Sequence, residues 1–404
     1  MAQDDGEKPL ETTPGFGAAD IAFFAAETYG DWVRGLVSAM FARPGAVGLF
    51  DASMPEPTDL LAVALRDVME APGRPRVRSV MGAGNPRVVD ALARRYGVAP
   101  DRVLCTAGSL SAVAVTLKAM LGGGGRLLLE RPHLDTLREL AEGLGAPIDL
   151  VDRTGPDAHL DPAALQAALR PDTRAVLITN LHNPTGAYLR EADLQALATA
   201  MGDHPAKIVV DEVYADFAHL SNGERPAAAL GPAFVSINSL SKVYGLAALK
   251  CGWIVADADT VARIAAVHGR EAFGVSKLTH AVASAVLEDE APFAAFVDEV
   301  LEEGRPVMRA WAAELAFEGL IEGEVPPFGC LYFPRLVGAP DTRAFAAGLW
   351  RDHGVAVAPG ELFQRPGHVR IGFGRRRAVL APALARLAEA LRASRGSPSS
   401  SSEA

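Results

Sequence analysis

Cysteine is scarce in this chain: 404 residues contain three, Cys105, Cys251 and Cys330. An odd count at wide spacing builds neither a disulfide framework nor a metal-ligand pattern. No metal is therefore expected, and the thiols read as buried and reduced in a cytoplasmic protein. Positive charge is also in deficit. Lys and Arg total 39 against 49 Asp and Glu, a formal net charge of −10. Nucleic acid and anionic membranes call for a basic surface, so neither is an expected partner. No apolar run approaches the roughly 20 residues of a membrane-spanning helix. The opening "MAQDDGEKPLETTPG" is acidic and polar, without the apolar stretch of a secretory signal. The glycine run Gly122 to Gly125 lacks the following Lys-Ser or Lys-Thr and the helix of a phosphate loop, and reads as a turn.

What is present suits a folded enzyme-sized chain. Hydrophobic residues make up 49% and charged residues 22%, the balance of a globular protein with a real core. The length calls for two domains, or one large α/β domain with a satellite. Residues 1–18 read as a disordered lead and 395–404, rich in Ser, as a disordered tail.

Between them the texture changes once. A helix is expected from Asp20 to Met40, then a proline-bearing stretch, then a helix over Val88 to Tyr96. The middle alternates apolar runs with amphipathic segments. Strands are expected at Arg102 to Ala107, Arg126 to Glu130, Arg174 to Thr179, Lys207 to Val210, Ala233 to Ile237 and Cys251 to Ala256. Between the first two, Leu110, Val113, Leu117 and Met120 recur at helical spacing. Continuous apolar strands alternating with helices indicate a mostly parallel sheet covered on both faces. Beyond about Ala283 long helices, Pro292 to Ala316 and Asp341 to Asp352, mix with short strands. The expectation is an α/β fold: a large domain over 51–283, and a smaller α+β domain from both chain ends, 19–50 with 284–394.

Ligands of open α/β sheets bind at the carboxyl ends of the strands. After the expected strands come Gly108-Ser109, "NLHNPTG" with Asn183, "DEVY" with Asp211 and Tyr214, and "NSLSK" with Ser239 and Lys242. Four strand ends thus bring polar groups to one edge. Free N–H groups at Gly108, Ser109 and Leu110 suit a phosphate. Asp211 at a buried strand end needs a cationic partner, such as a protonated pyridine nitrogen. Tyr214 and Asn183 can hydrogen-bond a phenolate-type oxygen. Lys242 in a dry pocket should have a lowered pKa and a free amine for imine formation. Together these describe a site for pyridoxal 5′-phosphate.

The motifs NPTG (Asn183 to Gly186), DEVY (Asp211 to Tyr214), SLSK (Ser239 to Lys242) and VRIGFG (Val369 to Gly374), with TAGSLSA (Thr106 to Ala112) as a looser match, carry a family likeness. In this order and spacing the chain resembles the fold-type I pyridoxal-phosphate enzymes, specifically the class I/II aminotransferases of the aspartate aminotransferase superfamily. The resemblance runs from about Gly48 to Arg392. It implies that Lys242 holds the cofactor covalently and later carries the proton at the substrate Cα. It implies that Asp211 pairs with the pyridine nitrogen, and that Tyr214 and Asn183 contact the ring oxygen. Ser109, Leu110, Ser239 and Lys250 would bind phosphate, and Arg370, with Asn183 beside it, the substrate carboxylate. It also implies a homodimer.

Three positions depart from the family. Leu134 stands where an aromatic residue usually stacks on the ring, with His133 beside it as a loop histidine. Ser79 stands where a tyrosine often reaches the partner subunit's phosphate, five residues before Gly84. Lys250 replaces the phosphate arginine, keeping its charge but not its fork. The activity implied is an aminotransferase moving an amino group between an L-amino acid and a 2-oxo acid. Lyase or cyclase chemistry on the same scaffold, and a non-catalytic binding protein, are the alternatives.

Overall fold

The computed structural model describes residues 18–70, 82–272 and 274–396. Ser79, the expected lead up to residue 17 and the tail from residue 397 lie outside the described residues. Arg395 and Gly396, expected in the tail, instead complete a final helix, Arg377–Gly396.

Seven strands form the central sheet: β1 (Val103–Thr106), β2 (Arg126–Arg131), β3 (Ile148–Asp152), β4 (Thr173–Thr179), β5 (Lys207–Asp211), β6 (Phe234–Ser239) and β7 (Gly252–Val255). Their order is β1-β7-β6-β5-β4-β2-β3. All neighbours run parallel except β7, which is antiparallel to both β1 and β6. Six of these strands coincide with expected ones to within one or two residues. Strand β3 was not anticipated. It is an edge strand with Leu150 37% exposed, so "IDLVD" lacks the unbroken apolar run that marks the buried strands.

Helices cover both faces. Ser109–Leu121 buries Val113, Leu117 and Leu121 against one side, in a core shared with Leu127, Leu177 and Ile254. Glu191–Met201 buries Leu194, Leu197 and Met201, in a core shared with Leu128, Val176 and Ile208 on the other. Among the described residues no helix is long and apolar enough to cross a membrane.

The single helix expected from Asp20 to Met40 is two pieces, a 3-10 turn at Ala18–Ala25 and an α-helix at Tyr29–Phe41. Thr28 separates them: its side chain accepts the Asp31 N–H at 3.1 Å and caps the second piece. Both chain ends then meet in a smaller α+β unit. Val47–Gly48 pairs in parallel with Val355–Ala356, and Val369–Gly372 lies between Leu331–Tyr332 and Ala358–Pro359. The expected boundary at 283/284 falls inside the continuous helix Lys277–Glu288. Val282, Ala283 and Val286 share a core with Trp253 and Trp311, so the change in texture near Ala283 falls within a helix packed into the main core.

Candidate active site

Strand register assembles one edge of the site. Thr179 pairs with Asp211, Ser239 with Gly252 and Thr106 with Gly252. Because β7 is antiparallel, its beginning lies beside the ends of β1 and β6. Gly108, at φ 90°, opens the Ser109–Leu121 helix at this edge. A side chain at Gly252 would collide with the Gly108 backbone and with the Ser109 nitrogen at 2.7 Å, so glycine is required for the approach. Lys250 is itself left-handed, at φ 46°, and its Cδ would lie 4.0 Å from a Cβ built on Gly108. The structure thus gathers Gly108, Ser109, Ser239 and Lys250 around an exposed helix N-terminus, with Leu110 next in the helix and 50% exposed.

Asp211 ends β5. Its carboxylate accepts the Val213 N–H at 3.2 Å. Burial pushes its pKa up to about 6, against the pull of that bond and of Lys242. Tyr214 is 3% exposed, and burial lifts its phenol to about 12, partly offset by Lys242 and Arg370. Asn183 is anchored through its N–H to Thr179 Oγ1 at 3.0 Å, and its Oδ1 accepts from Arg370 Nη1 at 2.8 Å. Arg370 Nη2 also donates to the Tyr29 hydroxyl at 2.9 Å and the Phe50 carbonyl at 2.8 Å. The guanidinium lies 4.8 Å from the Phe363 ring centre. Its Nε is buried without a partner. Tyr29 and Phe50 were not anticipated, since neither lies near a motif in sequence.

Lys242 departs from its expected chemistry. Its Nζ donates to Ser53 Oγ at 3.0 Å. Its pKa is raised, first by the Tyr214 oxygen, against desolvation, and with Asp51 as a further cause. Tyr214 stays uncharged below about 12, so at neutral pH the carboxylates acting on the amine are Asp51 and Asp211. The expected lowering considered burial alone and did not include Asp51.

Leu134 is half-buried at the start of the Asp135–Glu142 helix and packs against two core clusters, one of which contains Val213 and Tyr214. His133 is not an open loop residue. It is fully buried, with Nδ1 2.8 Å from the Glu130 carbonyl. Behind it lies an ion pair absent from the sequence reading: Arg153 Nε donates to Glu130 Oε2 at 2.6 Å, both side chains fully buried. Glu130 Oε1 accepts the Thr179 N–H and hydroxyl at 2.6 and 2.7 Å, bracing the residue that anchors Asn183. Glu130 belongs to the same strand-end pattern as Asp211 and was within reach of that argument.

Asp211 is a half-buried carboxylate with no ion pair among the described residues, suited to a protonated ring nitrogen. The glycine-lined helix N-terminus beside Lys250 suits a phosphate. Arg370 keeps one buried donor unused. The residues fit the expected cofactor. Residues 53–387 match the family described as aminotransferase class I and II. The chain belongs to that family. Its cofactor is pyridoxal 5′-phosphate. Among its relatives, capreomycidine synthase of Streptomyces vinaceus is 30% identical over 313 residues, 76% of this chain and 79% of that protein. The aspartate/prephenate aminotransferase of Thermus thermophilus is 25% identical over 76% of this chain and 82% of its own length. A solved structure of the PLP-dependent cyclase OrfR superposes with a TM-score of 0.79 at 25% identity, covering 96% of this chain and 99% of that one. The fold and cofactor are thus those of the class I and II aminotransferase family, and the relatives named here are a synthase, an aminotransferase and a cyclase.

Proposed function

We propose that this chain is a pyridoxal-phosphate-dependent aminotransferase that moves an amino group from an L-amino acid to a 2-oxo acid. The observation that carries the reading is the convergence of Lys242, Asp211, Tyr214, Asn183 and Arg370 in one buried site. When bound, the cofactor is an electron sink that acidifies the Cα proton of an attached amino acid. Arg370 holds the α-carboxylate, using its unpartnered Nε. Asp211 holds the proton of the ring nitrogen. Tyr214 and Asn183 donate to the ring oxygen. Gly108, Ser109, Leu110, Ser239 and Lys250 hold the phosphate. Lys242 removes the Cα proton and returns it.

A homodimer in the cytoplasm completes the reading. The Thr58–Glu70 helix packs beside Lys277–Glu288 and exposes Val63, Leu65 and Met69, while its neighbour exposes Leu278. An apolar face of this kind suits a second copy.

A second reading, cyclisation or elimination on an amino acid, has its own support in the likeness to the PLP-dependent cyclase OrfR and in Leu134, an aliphatic residue where the resemblance calls for an aromatic one. The two separate on acceptor dependence. The purified enzyme is given L-amino acids with and without 2-oxo acids. Transamination requires the acceptor, and Lys242→Ala lowers the rate by about 10²- to 10⁴-fold. Release of ammonia or of a cyclic product without an acceptor would sink transamination and establish the second reading.

A further inference from the structure

The stretch Asp51 to Met54 enters the site from the N-terminal side and is fixed there by several contacts. Arg375 Nη1 donates to the Ser53 carbonyl at 2.8 Å, and its Nη2 reaches Asp51 Oδ2 at 3.4 Å. The Met54 N–H donates to the Lys242 carbonyl at 3.0 Å. Gly245 lies so close that a Cβ there would collide with the Pro55 carbonyl and approach the Met54 carbonyl oxygen to 3.0 Å. Two loops are thus clamped backbone to backbone, which makes the side-chain geometry between them well defined.

That geometry is directional. Lys242 Nζ donates to Ser53 Oγ at 3.0 Å. Ser53 Oγ in turn donates to Asp51 Oδ1 at 2.8 Å, and the Ser53 N–H donates to the same oxygen at 3.1 Å. With its proton committed to Asp51, the hydroxyl turns its lone pairs to the amine. Ser53 is 8% exposed, whereas the Asp51 side chain is 42% exposed. One hydroxyl separates the lysine amine from a carboxylate that meets water.

We propose that Ser53 and Asp51 form a proton relay between Lys242 and solvent. The proposal rests on the reading of Lys242 as the base at Cα. When its amine is free, Lys242 would take the Cα proton and become an ammonium. It gives a proton to Ser53 Oγ as the Ser53 hydroxyl proton passes to the Asp51 carboxylate. The resulting carboxylic acid loses that proton to water, and the reverse sequence restores it. No electrons change hands, and the relay ends in the state in which it began. Ser53 and Asp51 act through Lys242 and are positioning residues. The other groups acting on the amine are Tyr214 and Tyr29, which raise its pKa, and Arg370, which lowers it; Asp211 couples to it as well. Arg375 steadies the far carboxylate.

The test uses the full chain loaded with pyridoxamine 5′-phosphate, in which the lysine amine is not bonded to the cofactor. Lys242 is labelled with 1-fluoro-2,4-dinitrobenzene across a pH series and quantified by peptide mass. Ser53→Ala and Asp51→Asn should shift the labelling midpoint down by about one unit, a roughly tenfold faster reaction at a fixed lower pH. Ser53→Thr, which keeps the hydroxyl, should label as wild type. In a parallel assay the holoenzyme is given a pool of the twenty common L-amino acids in ²H₂O. Wild type and Ser53→Thr should incorporate deuterium at Cα of at least one of them, and Ser53→Ala and Asp51→Asn at least tenfold more slowly. Unchanged labelling, unchanged wash-in, or no uptake by wild type overturns the relay. Borohydride reduction of the holoenzyme separates the two levels. Cofactor fixed to another lysine overturns the site reading and the relay with it, whereas cofactor fixed to Lys242 with variants that behave as wild type overturns the relay alone.

Discussion

The Gly108 end of the site draws on Gly108, Ser109, Ser239 and Gly252, neighbours along one edge of one sheet. The Arg370 end draws on Tyr29, Phe50, Asn183 and Arg370, residues separated by up to 341 positions. The first end is made mostly of backbone and small residues, and its shape follows from strand register. The second is made of long side chains that meet only because both chain ends fold back onto the sheet. The Gly108 end, proposed to hold the cofactor phosphate, therefore depends on close approach, and the Arg370 end, proposed to hold the substrate, on hydrogen-bond partners. Substitutions should separate these two dependences.

The largest effect is expected at Arg370. Arg370→Gln removes the charge and leaves the Phe50 carbonyl and Asn183 Oδ1 without their donor. The charge-assisted hydrogen bond that the unpartnered Nε can give a carboxylate is worth up to about 3 kcal/mol, or about a hundredfold. That loss should appear in kcat/KM for the amino acid, mainly through KM, with the absorbance of the bound cofactor intact. An equal loss of cofactor affinity would erase the distinction between the ends.

Asp211, between the two, is the next test. Burial raises its pKa from 3.8 to about 6. A carboxylate raised in this way binds its proton more tightly folded than unfolded. Stability therefore falls as pH climbs from about 4 to about 6, by about 3 kcal/mol from this group. Asparagine carries no such charge. The cofactor-free Asp211→Asn chain should melt higher than wild type at pH 8 and at nearly the same temperature at pH 4, while binding the cofactor more weakly. A lower melting temperature at pH 8 would mean that the ionised carboxylate is well solvated.

Gly252→Ala should have the smallest effect of the three and the most local. Its Cβ would press on the Gly108 backbone and on Ser109 N, displacing the helix N-terminus. Overpacking of this kind costs about 1–3 kcal/mol. A cofactor titration should show an affinity loss of about tenfold, with KM for the amino acid unchanged at saturating cofactor.

The contrast between the ends also explains what could be read from the sequence. Asp211, Ser239 and Lys242 follow apolar strands directly, so a local rule finds them. Glu130 obeys the same rule. Tyr29, Asp51 and Ser53 belong to N-terminal segments with no strand of the central sheet before them, only the two-residue Val47–Gly48 ahead of Asp51, and nothing local reports that they reach Lys242 and Arg370. Their omission had a chemical consequence. Without Asp51 and Tyr29 two of the groups that raise the lysine's pKa beside Tyr214 are missing, and burial considered by itself points the other way. Strand β3 was hidden because half of it faces water, and with it went Arg153, the partner of Glu130.

The segment that carries Lys242 leaves the sheet at Ser239 and re-enters at Gly252, two residues that are paired across adjacent strands. Between them Leu240 N donates to the Cys251 carbonyl and Leu246 N to the Leu240 carbonyl, both at 3.1 Å. Leu240, Val243, Tyr244, Leu246 and Cys251 are fully buried. The lysine therefore rides on a short leash tied at both ends. On the proposed reading, in which its amine is released and recaptured at each turnover, only the four-carbon stem would have to swing, above a backbone moored at both ends.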